Sequence, residues 1–286
     1  MELAIQGLLL GGLYATTALG LSLVFGTMRM VNLAHGEFLV IGAYLASIAV
    51  AVSGLDPLLM AIPVALLIGA IAYPIQRYVL TPVMSHGDEA PITATFGISI
   101  VASTAMLLIF SSNPRSVSAP YSTSNFEVFG VGIRVVLLIA CAIGVVLVVA
   151  LNLLLKRTTF GRRVRAASID AEAAGLVGIN VNRTYAQVFA LAAGVAAIGG
   201  VLIGLSFSVD PGSGLTWLLR AFTVVVIGGL GSVTGTLYGG ILVGLVETFG
   251  AVLVGAQYRD VIVFGLLVVV LRVRPNGLFT RKAVAR

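Results

Sequence analysis

Side chains able to do chemistry are few in this sequence, and most of them interrupt apolar stretches. The densest group is Arg29, Asn32, His35, Gly36 and Glu37, inside Gly20 to Tyr44, GLSLVFGTMRMVNLAHGEFLVIGAY. Polar groups amid membrane-length apolar sequence are costly unless they face protein, water or a solute. Two readings of this stretch stand side by side. In one, a helix breaks at Asn32, His35 and Gly36 and its freed backbone groups line a solute path. In the other, a turn at the membrane edge lets these side chains satisfy one another. A second group, GGLGSVTG at 228 to 235, looks like a phosphate-cradling loop, but it lacks the Lys and the preceding soluble strand that phosphate chemistry needs. A helix broken inside the membrane suits it better, with Gly229, Gly231, Ser232 and Thr234 offering hydroxyls or freed carbonyls to a polar path. Glu247 is the one acid deep in an apolar run. A proton relay would use such a group, but with no base in its own helix it reads more simply as a neutralised or hydrogen-bonded packing residue.

Equipment for covalent or metal chemistry is missing. His35 and Ser232 are far apart and neither lies in a GxSG context, so an intramembrane protease would lack a nucleophile with a paired base. Cys141 is the only cysteine, which excludes an internal disulfide and any CxxC motif. His35 and His86 are too few and too distant for a histidine-built metal site. No GxxxxGK[ST] occurs, so nucleotide hydrolysis would need another chain.

The elements that must carry these residues follow from composition. The chain has 286 residues, 59% hydrophobic and 10% charged, with a mean hydropathy of +1.10. A water-soluble domain would carry about 25% charged residues, so this is a membrane protein. One crossing takes about 20 apolar residues, and nine apolar runs are present, near 3–25, 38–52, 58–80, 92–110, 133–155, 185–207, 218–230, 236–256 and 259–273. The predicted fold is all-α, a polytopic helical bundle with about eight or nine transmembrane segments, some broken or re-entrant. The runs 38–52 and 218–230 are the short ones. The first run, with no basic stretch before it and no small-residue cleavage pattern after it, reads as a retained helix. Small residues four apart, among them Gly231, Gly235 and Gly239, Gly240 and Gly244, and Gly200 and Gly204, provide faces for close helix packing.

Basic residues set the orientation, because Lys and Arg near helix ends stay on the cytoplasmic side. Lys156, Arg157, Arg162, Arg163, Arg165 and Arg183 flank one polar loop, and Arg272, Arg274, Arg281, Lys282 and Arg286 crowd the C-terminal end. Alternation adds Arg29 and Arg77 inside and leaves Arg115, Arg134, Arg220 and Arg259 outside. Nine crossings then put the N-terminus outside, and one dipping segment would move it inside. The net charge of +6 is therefore a topology signal with a contact to anionic lipid, not a mark of nucleic-acid binding.

The loop at about 156–184 is predicted to hold a short helix, Ala166 to Val177, with Asp170 as a cap, Glu172 near the positive end of the dipole, and Gly175 and Gly178 as breakers. Glu172-Ala173-Ala174, three residues, then Gly178 match the EAA-xxx-G core that marks the coupling helix of ABC importer permeases. The Ile-x-Leu-Pro tail is absent, since Val188 and its followers continue into an apolar run. That sets the chain apart from sugar and oligopeptide permeases and is compatible with the branched-chain amino acid branch. The whole chain resembles LivH-type permeases of that branch, through GLSLVFGTMRMVNLAHGEF (20–38), GRRVRAASIDAEAAGLVGIN (161–180), VVVIGGLGSVTGTLYGGILVGLVETF (224–249) and YRDVIVFGLLVVVLRVRPNGLF (258–279).

The resemblance implies a non-enzymatic, multi-pass permease of the bacterial inner membrane, one transmembrane domain over 1–286, importing Leu, Ile or Val. Relatives of this type also move urea, short amides and aromatic acids. It implies four partners: a second permease (a homologue or a second copy), two ATPase subunits and a periplasmic substrate-binding protein. ATP and Mg would be bound by the ATPases, with no cofactor in this chain. Asp170, Glu172, Ala173, Ala174, Gly175 and Gly178 would form the ATPase-coupling element, and Asn32, His35, Gly36, Glu37, Gly229, Gly231, Ser232 and Thr234 the translocation path. The outer segments Ser111 to Arg134 and Ser206 to Arg220 would form the landing surface for the binding protein. A stand-alone secondary transporter or channel would instead need an internal ion site, for which only Glu247 is available.

Overall fold

Each of the nine apolar runs becomes a helix. The computed structural model describes residues 2–87, 89–128, 131–274 and 277–279; Arg281, Lys282 and Arg286, assigned above to the inner face, lie outside the described residues. In chain order come α1 (Glu2–Met28), α2 (His35–Ser53) and α3 (Pro57–Pro74). The last of these runs on through a π turn (Ile75–Leu80), α4 (Thr81–Val83) and a 3₁₀ turn (Met84–His86). Then follow α5 (Ala90–Phe110), strands β1 (Asn125–Val128) and β2 (Val131–Arg134), α6 (Val135–Arg157), α7 (Thr159–Ile169), α8 (Ala171–Leu176), α9 (Val181–Ser206), α10 (Gly214–Gly228), α11 (Val233–Leu253) and α12 (Arg259–Val273). Among the described residues seven spans are long and apolar enough to cross a membrane; α10 and α12 are shorter. At 1.5 Å per residue each of these two is about 22 Å long, so α10 departs from a full crossing as the short run 218–230 predicts. The run 38–52, by contrast, lengthens to the 19 residues of α2.

Contacts give the directions. Gly7 and Gly11 of α1 meet Leu245 and Ile241 of α11, and Gly26 meets Gly231 just before α11 begins, so these two helices are antiparallel. Gly20 meets Ala192 and Gly199 meets Thr17, which makes α9 antiparallel to α1 as well; Gly12 on Cys141 and Gly144 on Thr16 make α6 parallel to it. Phe38 packs edge-on against Phe189, and Gly204 lies against Ala43, so α2 runs with α9. Gly69 on Ala190 and Gly194 on Ala65 set α3 against α9. Among the described residues the nine helices alternate in direction. Arg29, Arg77, the loop 156–184 and Arg272 and Arg274 then share one end of the bundle, and Arg115, Arg134 and Arg259 lie at the other, as the basic-residue count requires.

The same contacts account for the glycines. Gly240 and Gly244 of α11 face the backbone of Gly11 and Gly7, while Gly200 faces Leu39 of α2. A side chain at any of these points would strike main chain, so the small-xxx-small faces are what let the helices approach. α1 and α9 form the centre and are mostly buried, whereas α3 and α5 are peripheral and turn Leu66, Ile100 and Leu108 outward.

The all-α expectation needs one addition. At the outer end, β1 and β2 form an antiparallel hairpin with Asn125 opposite Arg134, and a further bridge pairs Arg115 with Val209. The two outer segments are thus joined as one surface. The phenol of Tyr44 shares its proton between the carbonyls of Asn113 (3.0 Å) and Val209 (3.2 Å), and Arg115 covers the Tyr44 and Phe110 rings. Asp56 caps α3 by accepting from the Leu58 amide at 2.8 Å and takes the Tyr121 hydroxyl at 2.9 Å. Burial and that neighbouring carboxylate push the Tyr121 phenol well above the ordinary tyrosine range.

Candidate functional site

The first polar group sits well inside the bundle. After Met28 the chain leaves helical geometry, with Arg29 at φ 54, and folds back through a turn in which the Asn32 side chain accepts from the Ala34 amide at 3.0 Å. His35 then opens α2, and its Nε2 donates to the Thr17 carbonyl at 2.8 Å. Thr17 lies three helical turns before the end of α1, about 16 Å along its axis. The segment is therefore a broken entry into the bundle rather than an edge turn. Asn32, His35 and Glu37 are buried, at 2%, 1% and 3% exposure.

Here α2 meets the start of α10. Gly36 lies against the Gly214 backbone and Leu218, and the Glu37 carboxyl rests on Gly214 itself. Glu37 Oε1 accepts from the Ser99 hydroxyl at 3.1 Å, and Oε2 has no partner among the described residues. Ser213, at the N-cap position of α10, does not cap it, because its hydroxyl donates to the Asp210 carbonyl. A carboxyl group in the first turn of α2 thus also lies at the open start of a second, uncapped helix.

The other glycine-rich break is not at this place. Gly229 to Ser232 separates α10 from α11 at the opposite end of α10, where Gly231 touches Gly26 and Gly277 touches Gly229. Of the two hydroxyls, among the described residues only that of Ser232 is engaged. Ser232 Oγ caps α11 by accepting from the Gly235 amide at 3.0 Å, and Thr234 is exposed. Positive φ angles at Gly229 (96) and Gly231 (81) make the turn.

The inner loop forms two helices where the sequence predicts one. The helix expected over Ala166 to Val177 is split at Asp170, whose extended backbone (φ −150) ends α7, while its Oδ1 accepts from the Ala173 amide at 2.9 Å and starts α8. A carboxylate that caps one helix cannot continue another through itself. Gly175 lies within α8 rather than breaking it. Gly178, at φ +85, ends it in a Schellman motif, with Gly178 N on the Gly175 carbonyl and Ile179 N on that of Ala174. Gly161, Val164 and Ala167 turn α7 toward the bundle. In α8 only Ala174 is buried; Glu172, Ala173 and Gly175 are exposed, and Ile169, Leu176 and Val177 show apolar side chains at 79%, 90% and 76% exposure. Asp170→Ala is expected to cost α8 about 1 kcal/mol, read as faster amide hydrogen exchange over 171–176 with α7 unchanged.

One polar network near the outer end is invisible in the sequence. The Tyr14 hydroxyl donates to Glu247 Oε2 at 2.7 Å, and Arg220 reaches Tyr14 OH at 3.3 Å and Asp260 Oδ1 at 2.5 Å while lying over the Trp217 ring. The partner that Glu247 lacks in its own helix comes from α1, 233 residues away. Only the isolated acid was legible, because a tyrosine in an apolar run reads as packing.

Comparison with known proteins bears on all of these elements. Residues 3–271 match the family model described as the permease component of branched-chain amino acid transport systems. The chain is 35% identical, over its full length and 97% of the relative, to the high-affinity branched-chain amino acid transport system permease protein BraD of Pseudomonas aeruginosa. It is 30% identical to LivH of Escherichia coli K12, a permease protein of the same description, across 98% of this chain and 96% of that one. In fold it is similar to a solved chain of PsaBC from Streptococcus pneumoniae, with a TM-score of 0.52 over 96% of this chain and 93% of the other at 11% identity.

Proposed function

This chain belongs to the family of permease components of branched-chain amino acid transport systems, and from that premise we propose that it carries Leu, Ile or Val inward across the bacterial inner membrane. The full-length likeness to BraD carries the reading. The chain works with a second permease, two ATPase subunits that bind ATP and Mg, and a periplasmic binding protein that delivers the substrate. Energy enters at α7 and α8. Asp170, Glu172, Ala173, Ala174, Gly175 and Gly178 shape a small, capped knob whose exposed Leu176 and Val177 insert into the ATPase. The contact of α2 with α10, at Gly36, Glu37 and Gly214, is the joint through which that motion reaches the membrane centre, because two helices that begin inside the bundle can pivot there without breaking a continuous helix. Gly229, Gly231, Ser232 and Thr234 form the hinge at the inner end of α10. The joined outer segments receive the binding protein.

The test is reconstitution of the complete importer in proteoliposomes, with uptake of radiolabelled L-leucine and ATP turnover measured together. Binding protein is expected to stimulate both, and Glu172→Lys to reduce both. ATP turnover indifferent to binding protein and to Glu172→Lys, or uptake persisting without ATPase subunits, overturns the reading; the latter indicates a secondary transporter.

A further inference from the structure

A cavity of about 340 Å³ opens near the outer end between α1, α6, α11 and the start of α12. Its lining combines one acid, Glu247, two bases, Arg134 and Arg259, and an aliphatic and aromatic wall that includes Leu10, Leu137 and Phe207. The volume is at the small end of ligand sites, enough for a solute of a few heavy atoms. Each charged group keeps bonding capacity in hand. Glu247 is 2% exposed and its Oε2 is held by Tyr14, while Oε1 has no hydrogen bond among the described residues. Arg134 gives one Nη2 bond to the Ser206 carbonyl at 3.2 Å, and among the described residues neither it nor Arg259 forms an ion pair.

A buried carboxylate facing unpaired guanidinium groups across a cavity is costly to leave empty, and it is satisfied by a solute that carries both charges. We propose that this cavity is an acceptance site for an α-amino acid zwitterion, with the ammonium on Glu247, the carboxylate on Arg134 and Arg259, and an aliphatic side chain against Leu10, Leu137 and Phe207. Arg guanidinium matches a carboxylate in two-pronged fashion. Tyr14, bonded to the other Glu247 oxygen, holds the acid in place. A second cavity of about 340 Å³, rich in serine hydroxyls and lying under the outer loop, shares Arg134 and Phe207 with the first. These two residues form the step from the outer surface to the site. The proposal rests on the amino acid reading above and sharpens it, since urea or a short amide carries neither charge and would leave the cavity's groups unpaired.

The experiment uses the complete importer in proteoliposomes and L-photo-leucine, a leucine bearing a diazirine. After illumination, adducts are expected on peptides containing Leu10, Leu137 or Phe207. L-leucine should compete for them, whereas 4-methylvalerate, which lacks the ammonium, and isoamylamine, which lacks the carboxylate, should not. Glu247→Gln and Arg259→Gln are each expected to lower labelling and L-leucine uptake about tenfold or more while binding protein still stimulates ATP turnover. Arg259 is exposed and has no ion pair among the described residues, so its variant stays informative should Glu247→Gln fail to fold. Adducts confined to other peptides, equal competition by either half-molecule, or wild-type uptake by Arg259→Gln overturns the site. If the unaltered importer moves no amino acid at all, the functional reading falls and the site with it; if it moves L-leucine without labelling the cavity, only the site falls.

Discussion

Gly36→Ala is expected to destabilise the bundle by about 3 kcal/mol, the upper end of the usual cost of overpacking, and to abolish uptake. The added methyl would land on the Gly214 carbonyl, with Leu218 directly behind it. Neither can give way: the first is main chain in the opening turn of α10, and the second is fixed in the core. α2 and α10 would have to separate at the one place where both begin inside the bundle. The measurement is the fraction of protein that remains monodisperse after extraction in detergent, followed through a heating series, together with L-leucine uptake. Gly97→Ala is the matched control, since a methyl group there meets no atom within 4 Å, and it should behave as wild type in both assays. A Gly36→Ala protein with unchanged thermal behaviour would show that α2 and α10 are free to slide.

The second large effect concerns energy transfer rather than folding. Leu176→Asp and Val177→Asp place charge on side chains that are 90% and 76% exposed, so the permease should assemble and melt normally. Docking onto the proposed ATPase partner should lose about 2 kcal/mol or more, the cost of spoiling a central contact in an interface, which corresponds to roughly a thirtyfold weaker affinity. Uptake and binding-protein-stimulated ATP turnover should fall together. Co-purification of the ATPase with the permease reads the affinity directly. Unchanged co-purification would mean that α8 is not the docked element.

Much of this was legible in the sequence because the bilayer imposes strict arithmetic. Nine apolar runs became nine helices, and the basic residues marked the shared end, since both signals reflect transfer costs that act locally on the chain. The glycines four apart in α9 and α11 were legible as packing faces. Their counterparts Gly7 and Gly11 were not singled out, since only the fold reveals which face meets which. The split at Asp170 was missed because its two capping roles, ending α7 and starting α8, depend on backbone angles that composition does not encode. The depth at which α2 begins was open for the same kind of reason: it is set by the reach of His35 to Thr17, a contact between elements. The Tyr14–Glu247–Arg220 network joins α1, α11 and α10, and no local pattern announces it.

The central position of α1 also bears on how the bundle is made. Most of this helix is covered by α9 and α11, yet α11 begins at Val233, about 200 residues after α1 ends. At ordinary translation rates of roughly 5 to 20 residues per second, α1 waits on the order of 10 to 40 s for the partner that packs on Gly7 and Gly11. During that interval Thr16, Thr17, Ser22 and Glu247's future partner Tyr14 must rest in lipid or against the insertion machinery. The helix suits such a delay, because Thr16 and Thr17 bond back to carbonyls of their own helix and require no neighbour. Assembly of this membrane protein is thus ordered from the inside outward, with a central element synthesised early and enclosed late.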